Sequence, residues 1–113
     1  MDCLFCKVVS GEVAINKIYE NKDILAFEDI NPQAPIHFLI IPKVHIPTLN
    51  DLEPRDIALV GKLSLVASKL GKEYEISKNG YRTIMNCNSD AGQTVFHIHL
   101  HMMAGRRFKW PPG

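Results

Sequence analysis

Apolar positions along the chain change period several times, and each change marks an element. Residues 96–103 alternate with period two, so residues 94–103 predict a strand with His97, His99 and His101 on one face. Ile98, Leu100 and Met102 then point to the other face. Upstream, Leu59, Val60, Leu63, Val66, Ala67 and Leu70 recur at spacings of three and four, which places them on one side of a helix. Lys62 and Lys69 fall on the opposite side, and Pro54 suits a first helical position, where its missing N–H costs nothing. Gly71 or Asn79-Gly80 is expected to end that helix. Residues 17–20 and 24–29 flank a polar turn and read as a hairpin. Residues 37–41, between Pro35 and Pro42, predict a buried central strand, and residues 81–86 a fourth strand. Residues 89–93 predict a polar loop. Residues 3–9 predict a short helix closed near Gly11.

Short connections favour antiparallel pairing. The expected class is therefore α+β: one sheet, covered on one face by the long helix, with the imidazole face turned away from that core. At 113 residues the chain accommodates one domain, 1–113, and no second of ordinary size. A hydrophobic share of 46% with a net charge of +1 excludes a mainly disordered chain. The same balance argues against a nucleic-acid partner, which draws on many Lys and Arg. No apolar run is long enough for a membrane span, and no secretory signal opens the chain, so a soluble cytoplasmic protein without a membrane partner is expected.

The histidine row carries the chemistry. Alternate strand residues lie roughly 6.5–7 Å apart, so the three imidazoles form one continuous line. Imidazole titrates near neutral pH and can act as nucleophile, proton donor or metal ligand. A solvated polar strand face is the plain alternative. Spacing alone does not separate phosphorus-directed catalysis from metal binding. Cys3-x-x-Cys6 reads as half a metal site, a redox pair or chance, and Cys87 as a buried free thiol.

His97-Ile98-His99-Leu100-His101-Met102-Met103 resembles the signature of the histidine triad (HIT) family, His-φ-His-φ-His-φ-φ with φ hydrophobic. The resemblance extends over residues 27–37, 42–46 and 89–97. The end, Trp110-Pro111-Pro112-Gly113, is similar to that of the family's Hint-like branch. It implies a HIT-like fold: a five-stranded antiparallel sheet, one long helix and a short N-terminal helix, dimerising. It implies a purine nucleoside phosphoramidase that cleaves AMP–amine conjugates through a nucleotidyl-histidine on His99. His101 would contact the phosphate, His37 would support the triad, and His97 would complete it. Asp29 would hold the ribose, and Phe5, Leu4, Phe27 and Ile30 the base, although core packing explains Phe5 and Phe27 equally well. Asn86, Gly92, Gln93 and Thr94 would surround the phosphate, Thr94 standing where the branch usually has Ser.

By analogy with relatives carrying a Cys-x-x-Cys pair, Cys3, Cys6, His45 and His97 would bind one structural zinc, leaving His99 and His101 for catalysis. No organic cofactor is implied. The tail, 104–113, would bring Trp110 to the active site of the second subunit in a homodimer. A zinc-dependent hydrolase, a non-catalytic nucleotide-binding protein and the family's dinucleotide-cleaving branch are the rival readings.

Overall fold

The computed structural model describes residues 2–113. In chain order the elements are α1 (Leu4–Ser10), β1 (Lys17–Glu20), β2 (Ile24–Glu28), β3 (Ile36–Pro42), α2 (Ile57–Glu73), β4 (Arg82–Ile84), α3 (Asn88–Ala91) and β5 (Leu100–Ala104). The strands form one antiparallel sheet in the order β1-β2-β3-β5-β4. None of the described helices is long and apolar enough to cross a membrane.

The sheet is covered on both faces, not one. The apolar stripe of α2, with Leu63, Val66, Ala67 and Leu70 buried, packs on Ile24, Ala26, Phe38, Ile40, Ile98, Leu100 and Met102. On the opposite face Phe5 and Val8 of α1 pack on Leu25, Phe27, Leu39 and Ile41. This explains why β2 and β3 read as unbroken apolar runs: strands buried on both sides have no solvent face to alternate with. Because α1 covers the imidazole face, the histidine row is not a solvated surface.

α1 begins at Cys3, whose Sγ accepts a hydrogen bond from the Cys6 N–H at 3.4 Å. It ends at Gly11, whose φ of 86° supplies the left-handed turn that returns its N–H to the last carbonyls. A short 3-10 turn with Pro54 at its first position leads into α2. The helix runs past the expected stop at Gly71, because that glycine is demanded by packing rather than by termination. A Cβ there would stand 2.8 Å from Cε1 of Tyr81.

β5 is shorter than the alternation suggests. Its ladder with β3 begins at the Ile40–Leu100 pair. Further back the partner strand ends in Pro42, which has no N–H to offer another rung. Residues 94–99 therefore lie outside the ladder, and the Ile98 N–H donates instead to the Ile46 carbonyl at 2.8 Å. The alternation survives this change: Ile98 faces α2 while His97 and His99 meet Phe5 of α1. β4 is likewise trimmed to three residues, and the polar loop carries the short helix α3, closed by Gly92 at φ 84°.

Candidate functional site

In the β3–β5 ladder Leu39 stands opposite His101, and His37 opposite Met103. His37 shares a face with Leu39, so His37 and His101 are diagonal neighbours on one side of the sheet. Their rings meet with Nε2 of His37 2.9 Å from Nδ1 of His101.

Backbone groups determine which ring nitrogens carry protons, because an N–H only donates and a carbonyl only accepts. The Gln33 N–H donates to His37 Nδ1 at 3.0 Å. In the neutral His37 ring the proton is therefore on Nε2, which donates to His101 Nδ1, with Asp29 Oδ2 at 3.4 Å as a second acceptor. His101 must then hold its proton on Nε2. The neighbouring His99 is assigned oppositely. Its Nδ1–H donates to the His97 carbonyl at 2.7 Å, so Nε2 carries the lone pair. Two imidazoles with centroids 5.0 Å apart thus present a lone pair (His99) and an N–H (His101).

Burial keeps these rings neutral. It lowers His37 below the ordinary imidazole value, with the Asp29 carboxylate opposing. It lowers His99 as well, against the pull of the His97 carbonyl and of Asp29. His101 falls to about 4, through burial first and then the neighbouring His99 and His37.

A cleft of about 260 Å³ opens at His99 and His101. Leu4, Phe5, Phe27, Asp29, Ile30 and Thr94 line it with Val8, Val13, Ile15 and Leu39. Phe5 stands edge-on to His99 at 5.0 Å and to Phe27 at 5.6 Å, so it serves both the core and the cleft wall. Ile30 is 95% exposed at the mouth. A larger cleft of about 630 Å³ lies between α2 and the β1–β2 hairpin, rimmed by Lys22, Lys62, Lys69 and Lys72. It is lined by none of the histidines or cysteines, so the smaller cleft is the chemical one.

The remaining candidates are distributed as follows. Thr94 lines the cleft. Gln93 is buried, and its amide is spent on the loop: Oε1 accepts from the Asn88 N–H, and Nε2 donates to the Pro47 and Val95 carbonyls. It shapes the loop that carries Gly92 and Thr94. Asn86 is half-buried and is not among the residues lining the cleft. Trp110 is 82% exposed and also stands outside that lining. Sequence reading passed over Gln33 and the His97 carbonyl, since both act through the backbone. The one available signal is the Asp29-to-Pro32 turn, where the Asn31 N–H donates to Asp29 Oδ1 at 2.9 Å.

A second cluster lies beside the first. Donor atoms of Cys3, Cys6, His45 and His97 all fall within 4.8 Å of one another. Cys3 Sγ and Cys6 Sγ are 3.5 and 3.7 Å from His97 Nδ1, Cys6 Sγ is 3.4 Å from His45 Nδ1, and the two Nδ1 atoms are 3.3 Å apart. A tetrahedral ion with ordinary zinc bond lengths needs edges of about 3.6 Å between S and N and about 3.3 Å between two N. His97 Nε2–H donates to the Pro42 carbonyl at 2.7 Å, which leaves Nδ1 free to ligate. Burial, together with the neighbouring Cys3, pushes the Cys6 thiol up, and a bound cation reverses that penalty. The donor set fits a closed four-coordinate metal site.

An antiparallel α+β sheet that gathers His37, His99 and His101 at the edge of an apolar cleft defines a histidine-triad class of site. The HIT domain family matches residues 10–108, and the chain belongs to it. It is 44% identical over 112 residues to an uncharacterized HIT-like protein of Synechocystis sp., covering 99% of this chain and 97% of that one. It is 41% identical over 105 residues to the purine nucleoside phosphoramidase of Escherichia coli K12, covering 93% and 88% respectively. Among solved structures, a HIT family hydrolase from Legionella pneumophila superposes with a TM-score of 0.97 at 50% identity, covering 99% of this chain and all of that one.

Proposed function

We propose that this protein is a hydrolase of the P–N bond in purine nucleoside 5′-phosphoramidates, with His99 as nucleophile. The observation that carries the reading is the hydrogen-bond pattern that assigns opposite tautomers to His99 and His101. His99 Nε2 holds a lone pair for the α-phosphorus, and His101 Nε2–H donates to the phosphoryl oxygens as charge develops on them. The covalent nucleotidyl-histidine is then hydrolysed by water, releasing the nucleotide and restoring His99.

An amine leaving group suits this site. Rings held neutral by burial offer no standing acid at neutral pH. The bridging nitrogen of a P–N bond is more basic than the bridging oxygen of a phosphate ester, so it is protonated by solvent more readily as the bond breaks and leaves as a neutral amine. Asp29 accepts from the ribose hydroxyls, and the apolar wall of Phe5, Leu4, Phe27 and Ile30 takes the purine.

Cys3, Cys6, His45 and His97 would hold a structural zinc that ties α1 to the sheet. Four protein ligands leave no open position for substrate, which disfavours a zinc-dependent hydrolase. The reduced thiols such a site needs suit the cytoplasm. The functional unit is a homodimer of single-domain chains. The exposure of Trp110, with no tail residue lining the cleft of its own subunit, supports delivery of the tail to the partner.

The test is incubation with an AMP–amine conjugate. AMP release is expected, with an adenylyl adduct mapped to His99 by mass spectrometry after acid-free quenching. His99→Asn is expected to abolish turnover while retaining AMP binding. Turnover that persists in that variant rules out the nucleophile.

A further inference from the structure

We infer that Arg106, on the turn after β5, is a positioning residue for the His37–His101 pair; the inference rests on the reaction proposed above. The Arg106 Nε–H donates to the Gln33 carbonyl at 3.1 Å. The Gln33 N–H donates to His37 Nδ1 at 3.0 Å, and His37 Nε2–H donates to His101 Nδ1 at 2.9 Å. A chain of hydrogen bonds therefore runs from an exposed arginine to the ring that faces the phosphoryl group. Gln33 is gripped at both of its backbone groups, which fixes the peptides on either side of its Cα.

Two further contacts show that this grip is built. Gly105 brings the turn so close to Pro35 that a Cβ would stand 2.8 Å from the proline Cβ, and its φ of 93° is one that glycine adopts without strain. The turn is thus pressed against the same 29–37 loop that Arg106 holds. The Arg106 guanidinium also lies over the Phe108 ring at 4.2 Å, with Arg82 at 5.2 Å from that ring. Arg82 in turn donates to the Lys109 carbonyl at 3.1 Å. A planar guanidinium stacked this way aims its Nε–H in one direction, which an ammonium on a flexible stem does not.

Release of the Gln33 peptide removes the donor that holds the lone pair on His37 Nδ1. The ring is then free to take its proton there and to turn a bare Nε2 toward His101. His101 must answer by protonating Nδ1, which leaves a lone pair on the Nε2 that faces the phosphate. Transition-state stabilisation suffers, whereas Phe5, Phe27 and Asp29 continue to hold the nucleoside.

The experiment is 15N NMR of the imidazole rings in the full-length free protein, with steady-state kinetics on an AMP–amine conjugate. In Arg106→Met, which keeps the stem over Phe108, the His37 and His101 ring-nitrogen signals are expected to move toward tautomer-averaged values. The kcat is expected to fall about tenfold with KM changed by less than about twofold. Arg106→Lys, still a donor but without the planar fork, is expected to fall between the two. Unchanged ring-nitrogen signals in Arg106→Met overturn the inference, as do shifted signals with unchanged kcat. Absence of P–N cleavage by the parent protein counts against the proposed reaction, while the NMR result still decides the role of Arg106.

Discussion

His97 and His99 are joined by one hydrogen bond, from the His99 ring Nδ1–H to the His97 carbonyl at 2.7 Å, although their side chains serve different centres. The His97 ring faces the Cys3–Cys6–His45 cluster, and the His99 ring faces the cleft. The cysteine–histidine cluster and the proposed nucleophile are therefore adjoining parts of one backbone segment. Phe5, lying between the two cysteines in sequence, reinforces the coupling by touching both rings, at 6.0 and 5.0 Å.

Acid is expected to destabilise the protein through the buried imidazoles. Burial pushes His101 down to about 4 in the folded protein, below the ordinary imidazole value of about 6.5. Between these values the unfolded chain binds the proton and the folded chain does not, so stability falls as pH drops from 6.5 toward 4. It is fully present above that window. The contribution of His101 is roughly 3 kcal/mol at most. His37 and His99 are lowered too and act in the same direction. Urea unfolding between pH 4 and 7 measures the slope, and His101→Gln is expected to flatten it. A parent slope of opposite sign contradicts the buried neutral rings.

The same shift bears on the rate. A nucleophile held below its ordinary pKa keeps its lone pair in mild acid. The acid limb of kcat/KM is therefore expected below pH 6.5, and a limb at or above that value would count against a buried neutral His99.

Gln93 is expected to act through the loop. Gln93→Ala leaves the Asn88 N–H and the Pro47 and Val95 carbonyls without their partner, at a cost of about 1–3 kcal/mol. Thr94 is the next residue, so turnover should fall along with stability. Thermal melting and kinetics on one preparation test both, and a parent-like melting temperature would refute the bracing role.

Much of this was legible in the chain because it depends on periodicity. The two-residue alternation placed His97, His99 and His101 on one face, and the three-four spacing of α2 matched its buried stripe. The Cys3-x-x-Cys6 spacing flagged thiols that do converge, but their partners His45 and His97 are set by tertiary structure and came only through family resemblance. Backbone groups carry no residue signature, so Gln33 stayed hidden. The early end of the β5 ladder was written in Pro42, yet it becomes readable only once β3 and β5 are known to pair. Gly71 misled for a related reason: a helix-ending glycine and a glycine that admits a ring are the same letter.

Gly71 lends itself to a test in which two effects of known sign compete. In a helix interior Gly→Ala ordinarily stabilises by about 1 kcal/mol. Here the added methyl meets the Tyr81 ring at 2.8 Å, and overpacking costs about 1–3 kcal/mol. Gly71→Ala is therefore expected to leave stability unchanged or to lower it by up to about 2 kcal/mol, as read from the urea midpoint. In a Tyr81→Leu background the clash is absent, so the same substitution should stabilise. Equal effects in both backgrounds would show that the ring does not govern the glycine.

Metal removal is expected to disturb both centres. Cys6→Ser replaces a thiolate donor with a weakly ligating hydroxyl, so metal content should fall from one ion per chain toward zero. Without the ion α1 loses its tie to His45 and His97, and Phe5 loses its fixed position beside His99. A loss of about 2 kcal/mol is expected, equivalent to a fall in Tm of about 10 °C for a domain of this size. Because Leu4 and Phe5 line the cleft, KM for a nucleotide substrate should rise more than kcat falls. Metal analysis, calorimetry and kinetics on the same samples separate the possibilities. A parent protein that contains no metal removes zinc from the account, and a metal-depleted variant with parent-like Tm and KM shows that α1 is held by its apolar contacts alone.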